Sequence, residues 1–314
     1  MILDCAIIGG GPAGLTAGLY TTRGGLQNVT MFEKGMPGGQ ITLSSEIENY
    51  PGVTGDITGM DLMDPWPEQC KKFGLVHDMS EVVNVSKVDN IFHVTKEGSE
   101  VVEAHSVIVA TGSVPRRAGF KGEDEFFGRG VSTCATCDGF FYKGKEVAVL
   151  GGGDTALEEA LHLTKLCSRV YIIHRNGSFR ASPNTIARVE KAENVEIIYN
   201  ATVDEVYGDN MGVTGVKINL ENDEKRDLSV PGIFVFVGRN VNNGVLKQEN
   251  GTFLCELADG GQVQVDINMN TSCDGLYAVG DLRIDAAKQV VCAAADGAVA
   301  ALQAMKYVDE KLHS

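Results

Sequence analysis

Two glycine runs, one in each half of the chain, constrain the fold more than any other feature. Gly9-Gly10-Gly11-Pro12-Ala13-Gly14 follows the apolar run Ala6-Ile7-Ile8, and Gly151-Gly152-Gly153-Asp154-Thr155-Ala156 follows Val147-Ala148-Val149-Leu150. A short continuous apolar run before glycines reads as a buried parallel strand. Helix-period segments come next, Pro12 to Arg23 and Asp154 to Leu166, and then second apolar runs, Val29-Thr30-Met31-Phe32 and Val170-Tyr171-Ile172-Ile173. Strand, glycine turn, helix and strand form a nest for a dinucleotide. The first glycine makes the tight turn, the second lets a pyrophosphate approach the backbone, and the third packs helix on strand. Ala156 stands at the third position of the second run, a variant with a slightly wider contact. Two nests predict an α/β chain of two Rossmann-like, three-layer nucleotide-binding domains, and 314 residues suffice for two cores.

The nests end differently. Glu33 closes the first, where a carboxylate accepts hydrogen bonds from a ribose 2′-OH. His174-Arg175, with Arg180 beyond, closes the second. Cations there favour a 2′-phosphate, and the missing acid removes a partner for a free 2′-OH, so NADP(H) is expected over NAD(H). Elsewhere, Asp61 to Phe73 reads as one helix with Pro65 and Pro67 near its first turn. Val82 to Val102 reads as an antiparallel meander broken at Asp89-Asn90 and Glu97-Gly98. Val195 to Ile198 and the alternating stretch from Val203 to Leu220 read as extensions of the second nest. Ile233 to Val237 is a further buried strand. A strand ending in Gly280-Asp281 puts a carboxylate near a phosphate-bearing loop, and a final helix runs from about Gln289 to Lys311.

Between the two nests lies Cys134-Ala-Thr-Cys137. Such a pair is a redox dithiol or half of a zinc site. A zinc site needs four ligands, and the sequence has no second Cys-x-x-Cys or paired histidines. A dithiol flanked by two cofactor nests suggests electrons passing through both cofactors to sulfur, with Asp138 as the adjoining proton donor and acceptor. Cys5, Cys70, Cys167, Cys255, Cys273 and Cys292 lie scattered, mostly among apolar residues, and read as small buried hydrophobes. Net charge is -15 and the pI about 4.8, which argues against nucleic acid and anionic lipid as partners. No apolar stretch approaches a membrane span and no basic n-region opens the chain, so a cytoplasmic protein is expected.

In this combination the chain resembles the low-molecular-weight, bacterial-type thioredoxin reductases. The resemblance rests on both glycine runs, Gly38-Gly39-Gln40, Glu48-Asn49-Tyr50-Pro51-Gly52, Ala110-Thr111-Gly112, Cys134 to Gly139, His174-Arg175, Phe179-Arg180-Ala181 and Gly280-Asp281, in order over essentially the whole chain. It implies an FAD domain made of residues 1-114 and 243-314, with an NADPH domain carrying the dithiol inserted at 115-242. It implies FAD contacts from Gly9, Gly11, Ala13, Gly14, Glu33, Gln40, Asn49, Thr111, Gly280, Asp281 and Gln289. NADPH contacts fall to Gly153, Asp154, Thr155, His174, Arg175 and Arg180. Hydride passes from nicotinamide to flavin, electrons pass on to the Cys134–Cys137 disulfide, and the dithiol reduces thioredoxin. Cys137 is then the sulfur nearer the flavin and the one that attacks the partner, and Cys134 resolves the mixed disulfide. The resemblance also implies linkers near Gly112 to Arg117 and Gly238 to Gly244 that serve as hinges for a domain rotation, and a homodimer. Arg129 with Phe140-Phe141 flanks the dithiol as a docking groove, if the phenylalanines are not simply core.

Two positions depart from the family pattern. Asn176 stands where a second arginine is usual, and losing one charged hydrogen bond is worth about 1.5–3 kcal/mol of NADPH preference. Lys288-Gln289-Val290 stands where Arg-Gln-Ala is usual, which keeps the charge and loses the fork geometry. Other readings are an alkyl hydroperoxide reductase component, a ferredoxin-fed reductase, a dithiol oxidase of the same fold and a cofactor-sensing regulator. The start of the chain at the first glycine run speaks against the first of these, and the intact second run against the ferredoxin-fed enzyme.

Overall fold

β1 (Leu3–Ile8) runs directly into the first glycine run and α1 (Pro12–Arg23) leaves it, with Pro12 in the first turn, where a missing N–H costs nothing. The computed structural model describes residues 2–44, 46–221 and 224–312. β2 (Val29–Phe32) pairs parallel with β1 and completes the first nest. The segment read as one helix from Asp61 is two, α2 (Gly59–Met63) and α3 (Pro65–Lys72). Thr58 caps α2 in a reciprocal box with Asp61, and Pro65, lacking an N–H, breaks the ladder at Asp64 and starts α3. β3 (Val76–Asp78), β4 (Val82–Val88), β5 (Ile91–Lys96) and β6 (Val101–Val109) follow. The expected meander is β4-β5-β6, and Asp89 and Asn90 both take positive φ in its first hairpin turn.

The chain then passes through β7 (Ser113–Pro115) into β8 (Val131–Ser132), α4 (Ala135–Asp138), β9 (Glu146–Gly151), α5 (Asp154–Leu163) and β10 (Arg169–Ile173). After α6 (Pro183–Glu190) come β11 (Val195–Ile198), β12 (Thr202–Asp209), β13 (Gly212–Asn219), β14 (Lys225–Leu228) and β15 (Ile233–Phe236). It returns through β16 (Arg239–Val241) to β17 (Leu276–Ala278) and α7 (Val290–Leu312). Two units result, Met1–Val114 with Val241–Ser314, and Pro115–Asn240. β7 and β16 pair as a two-stranded ribbon where the chain crosses.

In the first unit the sheet order is β3-β2-β1-β6-β5-β4, with β17 parallel to the C-terminal half of β6. Alternate residues serve opposite faces. Cys5 and Ile7 join α1 and α7 through Leu15, Ala300 and Ala304, whereas Ala6 and Ile8 join the meander and Leu246, Val263 and Leu282. Both faces are covered, which is why the strand reads as continuously apolar. α1 and α7 touch closely because Gly297 has no side chain: a Cβ there would stand 2.1 Å from the Ala13 carbonyl oxygen.

The second unit has a five-stranded parallel sheet, β11-β10-β9-β15-β8. Val147, Val149 and Phe234 pack with α5 on one face, and Ala148, Leu150, Ile233 and Val235 with the antiparallel strands on the other. Val195 to Ile198 extends this sheet, as expected. The alternating stretch from Val203 does not. It forms a separate sheet, β12-β13-β14, because its outward residues are polar and only one face is buried. Among the described residues no helix is long and apolar enough to cross a membrane.

Candidate active site

Cys134 caps the start of α4 in an extended conformation, which turns its sulfur back over the helix. It is joined to Cys137 as a disulfide with Cα atoms 5.3 Å apart, and the Cys137 N–H points at Cys134 Sγ, 3.1 Å away. Cys134 is half-buried and Cys137 exposed. Asp138 closes the turn. Burial pushes its carboxyl above the usual range, and a hydrogen bond from Ser132 Oγ to Oδ2, 2.6 Å, pulls the other way. Ser132 Oγ also receives the Cys134 N–H at 3.1 Å, so one hydroxyl ties the acid to the cysteine backbone. The Ala135 N–H donates to Glu159 Oε2 of α5 at 2.9 Å. The sequence reading missed both Ser132 and Glu159. Ser132 stands two residues before Cys134 and was legible as a local hydroxyl; Glu159 carries no local signal. Among the described residues no three His, Cys, Asp or Glu side chains cluster as a metal site.

Four of the other cysteines are buried and held away from chemistry. Burial pushes the thiols of Cys70 and Cys167 up to about 11 and those of Cys5 and Cys255 up to about 12. Cys273 and Cys292 are only partly buried, which departs from the reading of all six as buried.

At the first glycine run, a Cβ on Gly9 would stand 2.5 Å from the Ala110 oxygen and one on Gly14 1.9 Å from the Gly9 oxygen. Gly11 meets no protein atom closer than 3.8 Å. The outer glycines are therefore required by packing and the middle one faces free space, which suits close approach of a pyrophosphate. Glu33 lies across Gly10, taking its N–H on Oε2 at 2.9 Å and the Gly35 N–H on Oε1 at 3.0 Å. Each oxygen keeps lone pairs for ribose hydroxyls. Ala13 is buried on α1, next to Gly280. Around this nest Gln40 donates to the Ser113 carbonyl, and Asn49 Nδ2 to Gln289 Oε1 at 3.2 Å. Thr111 and Asn242 exchange two hydrogen bonds, Oγ1 to O at 2.7 Å and Nδ2 to O at 2.8 Å.

The Gly280-Asp281 turn is fastened from α7. Asp296, 7% exposed, accepts from the Gly280 N–H at 3.1 Å, Arg283 Nε at 2.7 Å and Arg283 Nη2 at 3.0 Å. This bidentate pair fixes where Asp281, half-buried, and Gln289, one residue before α7, can be offered to a ligand. Neither Arg283 nor Asp296 stood out in the sequence, because their partnership forms across a helix start.

The second run repeats the first. A Cβ on Gly151 would stand 2.6 Å from the Phe236 oxygen, and Gly153 has no protein atom within 4 Å. The loop beyond β10 folds back over it: Arg180 N donates to Gly152 O at 2.8 Å and Ser182 N to Asp154 Oδ1 at 2.7 Å. Arg175, Arg180 and Thr155 are exposed. His174 is not the cation expected there. Its ring is buried under Gly152, packed against Phe179 and Tyr199, with Nε2 3.0 Å from Ser178 O. Burial holds its pKa below the usual value, and the nearby Arg180 and Arg175 charges add to this, against the Ser178 hydrogen bond. The ring is neutral at pH 7 and acts as a wedge that shapes the turn, so Arg175 and Arg180 supply the positive charge.

A cleft of about 400 Å³ in the second unit is lined by Arg129, Phe141, Tyr142, Lys145 and Met211. Phe140 is exposed outside it. Neither phenylalanine is core.

Residues 3–297 match the model of the pyridine nucleotide-disulphide oxidoreductase family. The chain is 56% identical to a thioredoxin reductase of Helicobacter pylori, over 98% of this chain and 99% of that one. A solved thioredoxin reductase from Streptococcus pyogenes is 34% identical with a TM-score of 0.91, covering 98% of this chain and 99% of its own. One from Lactococcus lactis, described as in the FR conformation, is 35% identical at the same coverage with a TM-score of 0.64.

Proposed function

The chain belongs to the pyridine nucleotide-disulphide oxidoreductase family, in its thioredoxin reductase branch, and from that premise we propose that it carries two electrons from NADPH through FAD and the Cys134–Cys137 pair to the disulfide of thioredoxin. The observation that carries this reading is the Cys134–Cys137 disulfide, with Cys137 exposed and a desolvated carboxyl one residue away. When bound, the flavin supplies two-electron exchange between nicotinamide and sulfur. The first nest, with Glu33, Gln40, Asn49, Thr111, Asp281 and Gln289 around it, would hold FAD. Gly153, Asp154 and Thr155, with Arg175 and Arg180 beside the 2′-phosphate, would hold NADPH.

The remaining steps are the chain's own. Two electrons and two protons convert the disulfide to two thiols. Asp138, its carboxyl pushed up by burial, gives a proton to the thiolate that leaves, and Ser132 holds the carboxyl in place for its return. Cys137 as thiolate attacks the partner disulfide, one partner sulfur departs with a proton, and Cys134 then attacks Cys137 to release the second.

The second unit presents the nicotinamide and the dithiol in turn by rotating about the two crossings at Val114/Pro115 and Asn240/Val241. The resemblance further suggests a homodimer through the first unit and a cytoplasmic setting. Stopped-flow bleaching of the flavin by NADPH and by NADH, followed by transfer to oxidised thioredoxin, tests the reading. Rapid bleaching with NADPH and no thioredoxin reduction would discard it in favour of another dithiol flavoenzyme.

A further inference from the structure

Glu159 sits in the second turn of α5, the helix whose N-terminus bears the second glycine run, and its carboxylate takes the Ala135 N–H at 2.9 Å. Ala135 is fully buried and follows Cys134 directly, so this bond joins the nucleotide-run helix to the dithiol turn. We propose that Glu159 is a positioning residue of the redox centre that fixes the dithiol turn on α5 and, by its negative charge, makes the dithiol a stronger reductant. The proposal rests on the disulfide reductase reading above.

The charge argument follows from where the N–H groups of the turn go. Cys137 N–H points at Cys134 Sγ, and Ala135 N–H at Glu159. A thiolate on Cys134 would accept the Cys137 N–H, two residues from the N–H that the Glu159 carboxylate takes. A thiolate formed on Cys134 must share that region with a carboxylate already in it, and a like charge disfavours ionisation. The disulfide has no charge and is indifferent. Reduction adds two electrons and two protons across the S–S bond, and ionisation of one thiol then returns a proton to water. Disfavouring that last state shifts the couple toward the disulfide, so the dithiol gives up its electrons more readily. The sequence position of Glu159, on the helix that would hold the nicotinamide nucleotide, also ties the geometry of donor and acceptor in one rigid piece.

Other titratable groups around the turn are Asp138 on α4, His162 on α5 beside Gly139, and Tyr142 on the following turn, its hydroxyl pushed up to about 12 by burial and by Asp138. All of them remain in Glu159→Gln, which keeps the acceptor oxygen and the size and removes only the charge. Full-length, flavin-loaded protein is equilibrated in dithiothreitol buffers at mildly alkaline pH, and Cys134 and Cys137 thiols are counted by alkylation and peptide mass. In parallel the rate of Cys134 alkylation by iodoacetamide is followed against pH. E159Q should reach half reduction at a ratio of reduced to oxidised dithiothreitol about threefold lower, and its alkylation profile should move to lower pH by a similar factor. Glu159→Ala should show at least the same shift, since it loses the charge too. E159Q and E159A curves that superimpose on the unaltered protein's would overturn the proposal. Failure of NADPH to reduce the Cys134–Cys137 disulfide of the unaltered protein would instead remove the underlying functional reading.

Discussion

At the first glycine run Gly9 and Gly14 are pressed against backbone while Gly11 faces free space; at the second, Gly151 and Gly152 are pressed while Gly153 faces free space. The backbone solution is the same. The second strands differ: one ends in Glu33, whose two oxygens are already engaged by Gly10 and Gly35, the other in a neutral, buried His174 with the exposed Arg175 beyond it. On the proposed reading, packing lets a dinucleotide approach, and the side chain after β2 or β10 selects between the two. An acid suits a free ribose diol, and cations suit a phosphate on it.

The comparison is broken most severely at the pressed glycines. Gly14→Val should cost more than about 4 kcal/mol and leave the first unit unfolded by circular dichroism, because the Gly9 carbonyl cannot move aside. At the open position, Gly11→Val should fold yet purify without flavin absorbance, with the second unit still binding NADPH by calorimetry. Gly153→Val should do the converse, keeping the flavin and losing its bleaching by NADPH. If either open-glycine variant fails to fold, the distinction between pressed and open glycines is lost.

Smaller changes sharpen the difference between the two strand ends. Arg175→Ala should lower kcat/KM for NADPH by on the order of tenfold to a hundredfold, the worth of one charged hydrogen bond, while NADH is hardly affected. Asn176→Arg should raise the NADPH/NADH ratio of kcat/KM by about tenfold, by restoring a cation beside the 2′-phosphate. The smallest effect concerns His174. Its folded pKa lies below the usual 6.5, so the unfolded chain binds the extra proton first. The stabilisation from the neutral buried ring is complete above about 6.5 and is lost as pH falls below it. Urea midpoints of the second unit should fall between about pH 7 and pH 5, and His174→Gln should flatten that fall. A midpoint that is level across this window would place a charged His174 in the site after all.

Much of this architecture was legible in the chain. The apolar runs named the buried strands, and the glycines named the turns, because a strand covered on both faces needs an unbroken apolar sequence and a tight turn into a helix needs a residue without a side chain. The helix expected from Asp61 was broken by Pro65 at a place its proline could have signalled. The stretch from Val203 to Leu220 was read into the wrong sheet, since alternation declares a half-buried strand without saying which neighbours bury it. Around the dithiol, Cys134, Cys137 and Asp138 were plain from spacing. Ser132 was overlooked although its partners are local, and Glu159 and the Arg283–Asp296 pair carried no signal because each acts through a partner brought close only by the fold.

The sequence by itself determined the two nests, the dithiol between them and the sign of charge after each second strand. Those depend on residue type and local spacing. Only the tertiary structure decided titration and attachment: that burial raises the Asp138 carboxyl, that burial lowers His174, and that Glu159 receives the Ala135 N–H. The reason is that desolvation and hydrogen-bond pairing are set by whatever surrounds a group in space, and at these positions the surroundings come from residues far away along the chain.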